Sequence, residues 1–166
     1  MKLPPSSFED ILARDGKLIY TNVGTSMMPL LRQRQDILVI TAKTEERLHL
    51  WDVPLFRRSN GQYVMHRVIW VGKDGYVMCG DNQWRPEFGV KEGQILGILE
   101  GVVRREADGS SHLLPVRPSA EHPRVPLRYR LYVFIWCFFY PIRALILMCK
   151  QSGPRVLGRI IRKIRS

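Results

Sequence analysis

Apolar positions first recur at helical spacing. Phe8, Ile11 and Leu12 form one stripe over residues 7–14, with Ser6 and Glu9 spaced as a capping box and Gly16 placed to stop the helix. From Lys17 to about Arg105 the pattern changes to short β-branched and aromatic runs: KLIYTNV, DILVIT, VPLFRR, QYVMHRVIWV, YVMCG and ILGILEGVVRR. Glycine, asparagine, aspartate or charged segments separate them, and SNGQ and GKDG carry the Asn-Gly and Asp-Gly signals of tight hairpins. No repeat and no alternation of strands with helices is visible, so the pattern predicts a mainly β, antiparallel domain over residues 1–105. Residues 106–127, with Pro115, Pro118, Pro123 and Pro126 among polar positions, read as a linker. Residues 128–166 form a C-terminal apolar and basic helical segment. Within it, LYVFIWCFFYPIRALILMC (131–149) has nearly the length of a bilayer span, but Pro141 and Arg143 interrupt its second half. Farther on, Val156, Leu157, Ile160, Ile161 and Ile164 share one helical face, with Arg155, Arg159, Arg162 and Lys163 off it.

Charge sharpens the contrast between the two parts. The chain has 166 residues, enough for one packed domain, and a formal net charge of +11. Residues 117–166 hold 11 Lys/Arg against one acid, Glu121, whereas the first 116 hold 15 against 14. The basic part is also the most apolar, which points to membrane lipid rather than nucleic acid as the partner of residues 128–166. A helical hairpin packed on the domain or on another subunit is the alternative. Positive charge flanks the apolar run on both sides, so it gives only a weak vote on which membrane face holds the domain. Cys79, Cys137 and Cys149 show no C-x-x-C pair and no zinc-like spacing with histidine; no disulfide framework, metal or other cofactor is expected. The first 17 residues hold no apolar run of signal-peptide length, and nothing in the pattern sets an oligomeric state.

Three polar groups stand where the pattern does not ask for them. Ser26 lies in GTSMMPLLRQRQD (24–36), beside Met27, Met28 and Pro29. His66 interrupts an apolar strand and shares its alternating face with Val64, Val68 and Trp70. Burial there favours the neutral imidazole, the form that a general base needs. Asp81 sits in Gly80-Asp81-Asn82, at the end of a strand. Singly, these are a turn hydroxyl, a core histidine and a turn aspartate that caps its own backbone.

Together and in this order, SMMPLL, QDILVI, WDVPLF, YVMHRVI and CGDNQ resemble the signal peptidase I superfamily, which includes the LexA-type repressors. The resemblance covers residues 18–105 and is nearest to the Ser-His branch of endoplasmic-reticulum and archaeal type, because His66 stands where bacterial enzymes have lysine before Arg-Val. It implies a serine endopeptidase that cuts a preprotein or precursor peptide at a membrane, without a cofactor. Ser26 would be the nucleophile and His66 the base, with Asp81 orienting the imidazolium; Asp36 matches another family aspartate that could compete for that role. Gly24, Met27 and Met28 would line the oxyanion and substrate cleft, and an extended peptide could add a strand to an open sheet edge. Two departures stand out. Gly24 occupies a position where some members place an oxyanion-binding serine, and the apolar basic segment lies at the C-terminus instead of an N-terminal anchor. The second departure motivates a rival reading, a cytosolic-face maturation protease for a small precursor. An inactive membrane-binding homologue is the reading from another class. A repressor fits less well, since no helix-turn-helix is apparent.

Overall fold

The computed structural model describes residues 7–44, 46–106, 108–120 and 122–152. Ser6 and the basic amphipathic stretch over residues 153–166 lie outside the described residues. The first helix, α1 (Phe8–Asp15), starts one residue later than the sequence suggested. Ser7 is its N-cap, and the reciprocal capping bonds run between Ser7 and Asp10 rather than Ser6 and Glu9. Gly16 ends the helix in the left-handed region, at φ 68°.

The strands are β1 (Lys17–Thr21), β2 (Ile37–Ala42), β3 (Pro54–Arg57), β4 (Tyr63–Met65), β5 (Arg67–Gly72), β6 (Gly75–Cys79), β7 (Glu87–Val90), β8 (Ile95–Arg105) and β9 (Ser111–Pro115). All pairings are antiparallel. The larger sheet runs β1-β2-β8-β3-β4, and the smaller runs β5-β6-β7. Strand β8 is long enough to serve three partners: β2 along one edge, β3 and β9 at opposite ends of the other. One apolar cluster, including Leu12, Leu31, Leu38, Ile40, Leu55, Leu99 and Val102, fills the concave side of the larger sheet under α1. A second, with Phe56, Val68, Tyr76, Met78, Val90 and Ile98, joins the two sheets.

Two differences from the sequence reading bear on the site. The run QYVMHRVIWV is not one strand. It breaks at His66, so that β4 belongs to the larger sheet and β5 to the smaller. A register shift between Val68 and Trp70 then turns the Trp70 side chain outward, off the buried face assigned to it with His66. The stretch 106–127 is likewise more than a linker: β9 pairs with β8 and buries Leu114, with Pro115 closing the strand.

Two helices follow, α2 (Leu127–Phe138) and α3 (Tyr140–Ser152), bent by 71° at the break between them. Among the described residues no single helix is long and apolar enough to cross a membrane; the bent pair together has that length and composition. One side of α2 is not free for lipid. Tyr129 and Val133 are buried in the main core, as a docked helix requires. The other side exposes Leu131, Phe134 and Phe138, continued on α3 by Ile142, Leu145 and Ile146.

Candidate active site

The segment carrying Ser26 connects β1 to β2, and polar bonds fix its shape. Asn22 folds back on Gly24: its Oδ1 accepts from the Gly24 N–H at 3.2 Å and its Nδ2 donates to the Gly24 carbonyl at 3.0 Å. At the far end Asp36, fully buried, accepts from Arg104 at 2.7 and 3.1 Å and from the Arg32 N–H at 2.7 Å. Asp36 therefore braces the loop and does not touch His66. Met27 is buried and lines the cleft beside Ser26. Met28, joined to Pro29 by a cis peptide, is partly exposed and is not among the lining residues.

The cleft has a volume of about 770 Å³. Ser26 and His66 both line it, although forty positions separate them in sequence. Its rim draws on both outer strands of the larger sheet: Tyr20 from β1, and Tyr63, Val64 and Met65 from β4. Gly80 packs against the main chain of one and the side chain of the other: a Cβ there would stand 2.6 Å from the Ser26 carbonyl oxygen and 3.1 Å from Nε2 of His66. Among the described residues, neither the Ser26 hydroxyl nor its N–H makes a hydrogen bond.

His66 is 1% exposed and packs edge-on against Phe56. Its Nδ1 lies 2.7 Å from Oε1 of Glu87, on β7. That approach is too oblique for a straight N–H···O bond, so the pairing is one of charge and proximity; a small ring rotation would complete it. Arg58 holds the same carboxylate with two bonds of 2.6 and 2.7 Å. Burial pushes the Glu87 carboxyl upward, but His66 and Arg58 outweigh it and hold the group at about 2.

Glu87, not Asp81, is thus the carboxylate on the histidine. Asp81 is also buried, but both of its carboxylate oxygens are taken by Arg67, at 2.9 and 2.7 Å, and Tyr132 donates to one of them at 2.9 Å. Burial by itself would lower the Arg67 guanidinium; Asp81 and Tyr129 reverse this and raise it well above its ordinary value. The Gly80-Asp81-Asn82 turn still belongs to the site through its main chain, since the Asn82 N–H donates to the Ser26 carbonyl at 2.7 Å. Gly24, for its part, has open space where a side chain would stand, with only Asn22 Oδ1 near, at 3.9 Å.

The sequence reading overlooked Glu87 because β7, EFGV, is too short to show a period. Arg58 was visible only as the polar end of VPLFRR. No group of three or more metal-ligating side chains occurs among the described residues. What the arrangement can do is move a proton: a hydroxyl and an imidazole share one cleft, with a fixed negative charge behind the ring. No protein-family model matches the chain, and no curated protein shows significant similarity to it.

Proposed function

We propose that the chain is a serine endopeptidase of the signal-peptidase type, with that superfamily's β fold, which cuts a preprotein or precursor peptide at a membrane surface. Ser26 attacks the scissile carbonyl, His66 takes its proton and returns it to the leaving amine, and Glu87 steadies the imidazolium. The Ser26 N–H, free of any acceptor among the described residues, is a donor for the oxyanion. One observation carries the reading: Ser26 and His66 both line the 770 Å³ cleft, and Glu87 Oε1 lies 2.7 Å from the histidine's Nδ1. Open edges at β1 and β4 suit an extended peptide bound by strand addition. The exposed apolar face of α2 and α3, next to Arg124, Arg128 and Arg130, suits an anionic bilayer.

The test uses the full chain in detergent micelles with a randomised peptide library and mass-spectrometric product analysis. The wild type cleaves; Ser26→Ala and His66→Ala do not, while their circular dichroism is unchanged. Cleavage surviving in either variant refutes the dyad. For the membrane, Leu131→Ser combined with Phe138→Ser should release the protein from anionic vesicles, and retention would refute that surface. Deleting residues 128–166 is the poorer experiment, because Tyr129 and Val133 belong to the core.

A further inference from the structure

The turn after β6 is gripped from two sides. On the cleft side the Asn82 N–H donates to the Ser26 carbonyl at 2.7 Å, and Asn82 Nδ2 donates to the Thr25 carbonyl at 3.2 Å. On the other side stand the C-terminal helices. Trp136 Nε1 donates to the Asp81 carbonyl at 3.1 Å, and Arg143 Nη1 donates to the same oxygen. Tyr132 reaches the Asp81 carboxylate, and the Tyr140 hydroxyl donates to the Trp84 carbonyl at 3.0 Å. Arg143 is itself stacked over Trp136, 4.7 Å from the ring centre, which keeps the two donors together.

The Asp81 carbonyl and the Asn82 N–H are two ends of one planar peptide unit. Fixing the carbonyl end therefore fixes the direction in which the N–H points. A cationic donor on the oxygen also polarises the unit and strengthens the N–H as a donor at its other end. Through this single peptide, residues 136 and 143 act on the main chain of residue 26.

We propose that Trp136 and Arg143 are positioning residues for Ser26, acting through the Asp81–Asn82 peptide, so that seating of α2 and α3 on the β domain sets the nucleophile against His66. The catalytic part of this inference rests on the reading of Ser26 and His66 as the reacting pair; the mechanical part does not. Neither residue touches the cleft, since both lie on the far side of the turn with Cys79, Cys137 and Phe138. A helix that merely covered a greasy patch would have no reason to aim two donors at one main-chain oxygen.

The experiment compares hydrogen exchange and kinetics for the full chain in micelles. Trp136→Phe keeps an aromatic ring and removes the donor; Arg143→Gln shortens the reach and removes the charge. Amide exchange in peptides covering residues 25–28 and 80–84 should quicken at least fivefold in each variant, with β2 and β8 unchanged. The kcat for peptide cleavage should fall about tenfold with KM within twofold, while Lys73→Ala, exposed between β5 and β6, should alter neither. Unchanged exchange at 25–28 overturns the proposal. So does faster exchange spread evenly through the domain, or local loosening without loss of kcat. Should Trp136→Phe fail to fold, Arg143→Gln carries the same test. If the wild type cleaves nothing, the catalytic reading has failed, and the exchange comparison still decides whether the helices hold the Ser26 loop.

Discussion

Glu87→Gln separates the role assigned to Glu87 from that of an ordinary surface acid. The carboxyl is held at about 2 instead of 4.5, against the effect of burial, by His66 and Arg58. At roughly 1.4 kcal/mol per unit, that difference corresponds to a ceiling of about 3 kcal/mol. The side chain is 24% exposed and Arg58 is 31% exposed, so solvent screening brings the expected loss to about 1–2 kcal/mol. The sign follows from the depressed value. Between 4.5 and about 2 the unfolded chain binds the extra proton, so the contribution is complete above pH 4.5 and fades as pH falls toward 2. Urea unfolding should therefore place Glu87→Gln below the wild type at pH 6, with less than half of that gap left at pH 3. Activity supplies a second readout. Removing the carboxylate that orients a catalytic histidine costs up to about 10⁴-fold in rate where the two make a full hydrogen bond. The oblique contact and the sharing with Arg58 make this pair weaker, so kcat at pH 7 should fall about ten- to a hundredfold. KM should hold, since Glu87 is not among the residues lining the cleft. A stability gap equal at pH 6 and pH 3, or a kcat within threefold of wild type, would refute the assignment.

Gly24→Ser should fold normally, because only Asn22 Oδ1 lies near the new Cβ. If its hydroxyl reaches the oxyanion, kcat should rise by up to about a hundredfold, and an unchanged or lower kcat argues against an oxyanion position there. Gly80→Ala should lose about 1–3 kcal/mol to overpacking and most of the activity, because the methyl meets the Ser26 carbonyl and His66 Nε2; wild-type kcat would show that the contact relaxes freely. His66→Lys should be inactive, because Glu87 would keep the buried amine charged, and pairing it with Glu87→Leu should restore part of the rate. Equal activity in the single and double variants would show that Glu87 does not control the base.

Much of the β domain was legible because its strands alternate and its hairpins carry Asn-Gly or Asp-Gly turns. The failures have physical causes. Residues 62–71 look continuous because β4 and β5 are both apolar, yet a chain leaving one sheet for another carries no mark in side-chain period. β7 and β9 have four and five residues, too few to show one. Ser26 and His66 stood out as polar groups in apolar settings, a signal that survives without a fold. The partner of a buried carboxylate does not stand out, because it depends on which arginine the fold brings near. Asp81 and Glu87 are six positions apart, and only the cross-strand geometry sends the first to Arg67 and the second to His66.

That division of carboxylates also says how the variants should be read. Asp81 neutralises a guanidinium buried to 1% exposure, so removing its charge leaves Arg67 unpaired and costs on the order of 3–5 kcal/mol. Loss of activity in Asp81→Asn would therefore report a damaged fold and a loosened turn, not a missing catalytic partner. Glu87→Gln leaves behind an arginine that still reaches solvent and an imidazole that still faces an amide oxygen, so its defect should appear in kcat first. The same turn that Asp81 anchors lies between the helices and the nucleophile loop: α2 and α3 hold its carbonyl, and its next N–H holds the Ser26 main chain. A chain that exposes Phe134, Phe138 and Ile142 on the outside of those helices has its apolar surface and its candidate site joined through one peptide unit.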